Sequence, residues 1–593
     1  MLALSLPRRR RSIAAIGLAA VLIVSLFLAV PPAADAAVSA SGSVDLTKVA
    51  ARTDPYAIGV GSSTYGANPL SSSAQADAER RLDARTVRIP VGYRNGRVTS
   101  SAAGSGGTLD VPALVRTYRS WGYRVIVVIG GRTNDVDVQA GDATKIIQTL
   151  GFDGVSYTAP NEPGNHGKSL ADQTALATMI VKEGRALRAD FRLTGPVWAY
   201  YDRSALTGFA ASMGDRLGGL DYHHYAMGER SLTTAAAMAE TPGYGREVSE
   251  LRSDLQARGL NVPVIVDELN FSWRYQDGTP GGNNRFFTAV NTVWMTSVLG
   301  HILKAGGRGL PYATQNGPLG VMIEAGQVNP DGRPTSTPMP AYWAIANWTG
   351  GGRWPHFQDT VYASTSSEAN TEVFAVNNEA GGYNLVLLNK DWGDRRILSL
   401  KVSGARAGQY TAYRSDPARP YDAPAAGPAT TYGTDPTLQF DLPPMTTTVV
   451  VMRPTGTGAS TPTSSTPSTS TPKTSASPTS STTPTKTTTA PTTTTAPTAT
   501  APTGLAANRS ADGTRATITW SPPATSPSTI TGYRVARDGT DSTGGGAYAT
   551  TLPAGSRTFS FTLLKPANAY TFSVQAVTAS GTGPAATVRV APR

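Results

Sequence analysis

Eight short apolar, β-branched runs recur along the first half of the chain, spaced by about 36 residues on average. They are "YAIGVGS" (56–62), "TVRIPVG" (86–92), "RVIVVIG" (124–130), "VSYTAPN" (155–161), "RLTGPVW" (192–198), "LDYHHYA" (220–226), "VPVIVDE" (262–268) and "RGLPYAT" (308–314). Apolarity this continuous suits strands covered on both faces, as in a parallel sheet. Between the runs lie helix-compatible stretches such as "SAQADAERRLD", "LADQTALATMIVKEGRAL" and "NRFFTAVNTVWMTSVLGHILKAG". The second carries Leu170, Leu176, Met179, Ile180 and Leu187 at roughly helical spacing. Eight strand–helix units in series predict an α/β fold, a closed (β/α)8 TIM barrel. An open doubly wound sheet needs fewer strands and usually a glycine-rich phosphate loop, and no G-x-G-x-x-G opens a helix here.

A chain of 593 residues is too long for one core, and shifts in composition mark the borders. The barrel is assigned to 37–340. From 341 to 454, runs such as "TEVFAVNN", "YNLVLLNKD" and "TTTVVVMRP" alternate apolar and polar and predict an all-β sandwich, which "PAYWAIANWTGG" joins to the last barrel helix. Residues 455–502 are almost entirely Thr, Ser, Pro and Ala. Such a segment has nothing apolar to offset its ordering entropy and reads as a disordered linker. Its prolines favour extended geometry with a reach on the order of 100 Å, and its hydroxyls offer O-glycosylation sites. Residues 503–593 return to short alternating strands at the spacing of a second sandwich. There Trp520 and Tyr533 are expected in the core, and Leu564, Pro566 and Tyr570 fit a tyrosine corner. This last segment resembles a fibronectin type III domain over its whole length.

The N-terminus reads as an export signal: four arginines, an apolar run to Val30, then small residues around Ala34-Asp35-Ala36, giving a signal peptide over 1–36. Arg10 and Arg11 before the apolar run also suit twin-arginine export. The mature protein is expected to be secreted, without stable membrane insertion. There are no cysteines, which excludes disulfides and thiolate metal sites. The net charge of +11 invites a nucleic-acid reading, but it is unevenly placed. Four of the arginines lie in the signal, Lys473 and Lys486 in the linker, and eight Lys/Arg against three Asp after Pro502. The barrel and first sandwich are close to neutral, so no nucleic-acid partner is inferred.

In a barrel of this kind the active site forms at the carboxyl ends of the strands. Glu162 ends the fourth run, fixed between Pro160 and Pro163, and Glu268 ends the seventh. Asp267 is expected to point the other way, into the barrel wall, because strand side chains alternate. Two glutamates facing across the mouth, about 5 Å apart, suit glycoside hydrolysis with retention. His223 and His224 adjoin on a strand end, one facing the mouth and one the packing, so no metal or cofactor is expected. Further candidate substrate contacts are His166, Trp198, Tyr312 and Gln315. Tyr200, Tyr201, Trp273 and Tyr275 follow strand ends as stacking or packing aromatics. Arg132, Arg203 and Arg274 follow them as charges suited to an acidic sugar.

"NEP" ending strand four and a Glu ending strand seven resemble clan A of the glycoside hydrolases, over residues 51 to about 454. The trailing sandwich, with "LVLLNKD" and "LPPMTTTVVVM", is similar to that of the β-xylosidase and α-iduronidase families. The resemblance implies Glu162 as acid/base, Glu268 as nucleophile and Asn161 as donor to the sugar 2-hydroxyl. It implies that Arg88 in "TVRIP" keeps the nucleophile ionised, and that His223 and Tyr225 match a His-x-Tyr pattern with the tyrosine hydroxyl on the nucleophile. The eighth run lacks the tryptophan that many members place under the sugar, and Tyr312 or Gln315 takes its place. The expected partner is a polysaccharide or oligosaccharide, with the C-terminal module contacting cell-wall or insoluble glycan. The alternative is a secreted carbohydrate-binding or adhesion protein on an inactive barrel, which requires loss of a glutamate. A metal-dependent hydrolase requires clustered His/Asp ligands that the strand ends do not supply.

Overall fold

The computed structural model describes residues 37–455 and 499–593, apart from 63–69, 71, 101–108, 131–135, 228–231, 275–284, 324–332, 511–512, 527–528, 541–546, 562–563 and 579–580. The expected signal (1–36) and most of the expected linker (456–498) lie outside these residues, as do Arg132 and Tyr275.

All eight apolar runs contribute to one parallel ring. Its strands are, in order, Val60–Gly61, Thr86–Arg94, Arg124–Ile129, Val155–Thr158, Leu193–Trp198, Leu217–Tyr225, Val264–Asn270 and Arg308–Pro311. Parallel bridges from Ile58 to Gly309 and from Gly61 to Tyr312 join the eighth strand back to the first. An antiparallel hairpin partner, Arg97–Ser100, extends the second strand. Val87, Ile89, Val125, Val127, Val264 and Val266 belong to the large core shared with the helices. The alternate positions Ile126, Ile265 and Leu310 form a small separate cluster, which strand alternation places inside the ring.

The helix Leu170–Leu187 covers the stretch expected of it, but its buried face is Gln173, Ala177, Ile180, Val181 and Gly184, while Leu187 is exposed. Small residues win because the helix lies close to its neighbours: a Cβ on Gly184 would come within 2.3 Å of the Phe191 ring. Ser169 and Asp172 close a capping box that fixes where this helix starts after the Glu162 loop.

The domain borders differ from the expected ones at both ends of the barrel. Residues Val38–Arg52 form no part of the ring. They are an interior strand of the sandwich sheet, antiparallel to Phe357–Ser366 and parallel to Arg396–Ser403. The signal was present in the alternation of Ala40, Val44 and Leu46, all buried in the sandwich core. Pro340–Thr349, all but its first residue assigned above to the sandwich, is a fully buried helix packed against Ala289–Lys304 and closes the helical layer. Barrel and sandwich are joined by a buried ion cluster. Glu372 accepts from Lys390 Nζ (2.6 Å), His301 Nε2 (3.0 Å) and Ser297 Oγ (2.5 Å), and Lys390 also reaches Met238 O (3.0 Å). Burial opposes the charge on Glu372, but His301 and Lys390 pull its carboxyl down to about 2.

Residues 499–593 form a separate sandwich of a three-stranded and a four-stranded sheet. Trp520 and Tyr533 are core residues with ring centroids 5.6 Å apart. The Tyr570 hydroxyl donates to Thr540 O (2.7 Å) and accepts from Lys565 N–H (2.8 Å), the expected corner.

Candidate active site

The fourth strand stops at Thr158, and four residues on Glu162 stands in the left-handed region with φ 44°. Pro163 then opens a short 3-10 turn, Pro163–His166. A non-glycine residue held there carries strain that the surrounding contacts must offset. The contacts are specific: Glu162 Oε1 lies 2.7 Å from His223 Nδ1, and Asn165 Nδ2 donates to Oε2 at 2.9 Å.

The seventh strand brings Glu268 to the same place by an irregularity that alternation did not anticipate. Tyr222 pairs with Val266, but His223 pairs with Glu268, so Asp267 is an extra residue, a β-bulge. The eighth strand skips a residue across the same position. The bulge corrects the expectation for Asp267: it does not turn away but is buried against the same arginine as Glu268. Arg88 Nε donates to Asp267 Oδ2 (2.8 Å), Nη1 to Glu268 Oε2 (3.1 Å) and Nη2 to Asn161 Oδ1 (2.5 Å). Arg88 is only 2% exposed. One guanidinium therefore spans the second, fourth and seventh strands, a geometry that lysine could not reproduce.

His223 and Tyr225, two apart on the sixth strand, share a face. The Tyr225 hydroxyl donates to Glu268 Oε1 at 2.5 Å. His224 faces outward, stacked on Tyr244 with Nδ1 2.9 Å from Glu247. His223 is fully buried, with Nε2 3.3 Å from Arg88 Nη2, 3.5 Å from Asp267 and 3.8 Å from Glu268. Burial opposes its charge, but Glu268, Asp267 and Glu162 together raise it to about 9. For Glu162, burial pushes upward, yet His223, Arg88 and Asn165 hold the carboxyl below its ordinary value. Burial beside Glu268 pushes the Tyr225 phenol well up, so it stays a donor.

Ligand atoms of Glu162, His223 and Glu268 all lie within 4.8 Å of one another. The set is a poor metal site. His223 turns different nitrogens to the two acids, and the Arg88 guanidinium already supplies a positive charge beside them. It is better described as two carboxylates bridged by an imidazole and charge-balanced by an arginine.

The other candidates divide. Tyr312 follows the eighth strand, half-buried, with its hydroxyl accepting from Asn316 Nδ2 (3.0 Å). Gln315 is buried. Trp198 ends the fifth strand half-buried, its ring edge-on to Tyr200 at 6.4 Å. His166 is exposed at the end of the 3-10 turn, and its neighbour Asn165 makes the contact to Glu162. Arg203 is engaged by Asp254 (2.7 Å), and Tyr201 by Glu250 (2.7 Å), on the helix Pro242–Ala257. Tyr200 and Trp273 are 58% and 48% exposed, beyond the fifth and seventh strands, and Arg274 lies over the Trp273 ring at 4.7 Å.

Sequence reasoning did not single out Asn165, and it turned Asp267 away from the site. The first is visible only as one more polar residue in a loop, and the second is hidden by the bulge.

Solved structures resemble the whole of this barrel-and-sandwich unit. They include a family 51 arabinofuranosidase from Xanthomonas axonopodis pv. citri, 12% identical, covering 70% of this chain and all of that one, TM-score 0.53. The α-L-arabinofuranosidase of Thermotoga maritima is 13% identical, covering 70% and 99%, TM-score 0.53. A bacterial orthologue of human α-L-iduronidase is 15% identical, covering 93% and 100%, TM-score 0.51. These neighbours are clan A glycoside hydrolases, and the chain has their fold. Residues 500–591 match the family model of the fibronectin type III domain. No curated protein matches the chain by sequence.

Proposed function

We propose that this protein is a secreted retaining glycoside hydrolase, cleaving O-glycosidic bonds in a polysaccharide or oligosaccharide by double displacement. One observation carries the reading: Glu162 and Glu268, from the fourth and seventh strands, each bring a carboxylate oxygen within 4.8 Å of the other and of a shared imidazole nitrogen. So close an approach supports retention, because an inverting pair stands further apart to admit a water between acid and base. Glu268, fixed by Arg88 and Tyr225, attacks the anomeric carbon as the glycosidic bond breaks. Glu162 gives a proton to the departing oxygen, drawn from the proton it shares with His223 across 2.7 Å. Water then attacks the glycosyl–Glu268 ester, its proton passes to the Glu162–His223 pair, and Glu268 leaves as carboxylate. Arg88 Nη2 orients Asn161 through its side-chain oxygen, which leaves the amide NH2 to donate to the sugar. Tyr200 and Trp273, exposed beyond the strand ends, support a substrate longer than one sugar.

The test compares Glu162→Ala with Glu268→Ala on an aryl glycoside bearing a dinitrophenyl leaving group. Glu162→Ala keeps appreciable bond cleavage, and added azide releases a glycosyl azide of retained configuration. Glu268→Ala is inactive, and azide restores it only with inversion. The opposite products would reverse the two roles, and full activity in both variants would end the reading.

A further inference from the structure

The fourth and fifth strands are joined by very little backbone. Their register shows a single pair, Thr158 with Thr194, followed by one bond from Ala159 N–H to Thr194 O (3.1 Å). The third and fourth strands pair over four positions, and the fifth and sixth over five. Pro196 has no N–H to give, and Val197 beyond it stands at φ 59°, where a β-branched residue is strained. Yet the fourth strand leads to Glu162 and the fifth ends at Trp198, so the seam is weakest where two site residues leave the sheet.

A side chain of the sixth strand fills this gap. Asp221 is 0% exposed, two residues before His223 and on the same strand face. Its Oδ2 accepts from Thr158 Oγ1 at 2.6 Å, and its Oδ1 from Val197 N–H at 2.7 Å. One carboxyl thus ties the fourth, fifth and sixth strands beneath the mouth and holds the left-handed Val197 directly before Trp198. Asp267 on the seventh strand and Arg88 on the second face the same carboxyl. Burial and Asp267 push it up to about 7, against Thr158, Val197 and Arg88. A buried acid kept at this cost in a ring otherwise free to use apolar residues calls for a reason.

We propose that Asp221 is a positioning residue: its carboxyl replaces the missing ladder between the fourth and fifth strands and sets where Glu162 and Trp198 stand relative to His223. It rests on the glycosidase reading for its kinetic consequence and on the hydrogen bonds alone for its structural one. Proton delivery depends steeply on placement, and an error of about 1 Å costs on the order of 100-fold. Glu268 is held by its own direct bonds to Arg88 and Tyr225, whereas the Thr158 and Val197 bonds of Asp221 lie on the side of the ring that carries Glu162 and Trp198. Cutting the tie therefore harms substrates that need an acid more than those that do not.

The experiment uses the full chain with Asp221→Ala, Asp221→Asn and Thr158→Val. Each is assayed on a phenyl and a dinitrophenyl glycoside of the sugar the unmutated protein cleaves, alongside hydrogen exchange of segments 159–166 and 197–201. Asp221→Ala is expected to lose about 100-fold on the phenyl glycoside and less than about 5-fold on the dinitrophenyl one, with faster exchange in both segments. Asp221→Asn is expected within about 3-fold of the parent on both, since its amide oxygen still accepts from Val197 N–H and its NH2 donates to the Thr158 hydroxyl. Thr158→Val shows the same leaving-group bias to a smaller degree. Equal losses on both glycosides, or losses in Asp221→Asn as large as in Asp221→Ala, would overturn the proposal. If Asp221→Ala does not fold, Thr158→Val decides by the same bias. An unmutated protein inactive on every glycoside would refute the glycosidase reading instead, and exchange in the two segments would still decide whether Asp221 is the tie.

Discussion

Glu79 gives the clearest route from structure to a measured number. It lies on the helix Ser73–Leu82, 2% exposed, with Oε2 accepting from the Tyr118 hydroxyl (2.6 Å) and Oε1 from Gln75 Nε2 (3.3 Å). Among the described residues it has no cationic partner. Burial raises its carboxyl from an ordinary 4.5 to about 8, against the Tyr118 hydrogen bond. A group whose folded value is raised gives stability that is fully present below the unfolded value and lost as pH rises through the folded one. At about 1.4 kcal/mol per unit, the loss between pH 5 and 9 is roughly 3–5 kcal/mol. Glu79→Gln keeps an acceptor for Tyr118 and cannot ionise. Asp221 and His223, also raised, weaken both proteins alike at high pH, so the difference between them isolates Glu79. We expect the variant to melt at or slightly below the parent at pH 5 and about 4–5 °C above it at pH 9, given the unfolding entropy of a unit of this size. Thermal melts followed by dye fluorescence across that range decide it. A gap between the two melting curves that does not change with pH would refute the reasoning.

His223→Gln removes the imidazole that shares the proton of Glu162, so the basic limb of kcat/KM should fall from near 9 towards the carboxylate range, by at least about two pH units; a limb that stays put would show that the pair does not share the proton. Trp273→Ala and Tyr200→Ala should each lower kcat/KM on a polymeric substrate about 10-fold and change that for a small aryl glycoside less than about 2-fold, as read from parallel kinetics. Deleting 456–593 should leave turnover of a soluble glycoside nearly unchanged and reduce it on insoluble glycan, whereas deleting 38–52 should yield insoluble protein because the sandwich loses an interior strand.

The sequence exposed what repeats and hid what is singular. Eight apolar runs are a periodic signal, and each one became a ring strand. Glu162 and Glu268 were legible because both stand at run ends, where the ring topology gives them a common destination. His223 and Tyr225 were legible because alternation holds along the sixth strand. Asp267 was not, since one inserted residue reverses alternation and leaves no mark in composition. Val38–Arg52 was misplaced because its partners lie beyond the whole barrel, and short-range pattern cannot say which sheet a strand joins. Asp221 looked like any polar residue before a histidine until its partners on two other strands were in view.

That early strand also bears on how the chain reaches its native state. Ser41 and Ser43 meet Ser367 and Thr365, 326 and 322 positions further on. At roughly 5–20 residues per second of synthesis, it waits on the order of 15–65 s for its antiparallel neighbour to be made, and slightly longer for the parallel one. Throughout that interval both of its edges offer unpaired N–H and C=O groups to any other strand in reach. The barrel can condense around its own local units in the meantime, but the sandwich cannot. High contact order makes the sandwich the slow step, and the first segment of the folded unit to be made is among the last to lock into place.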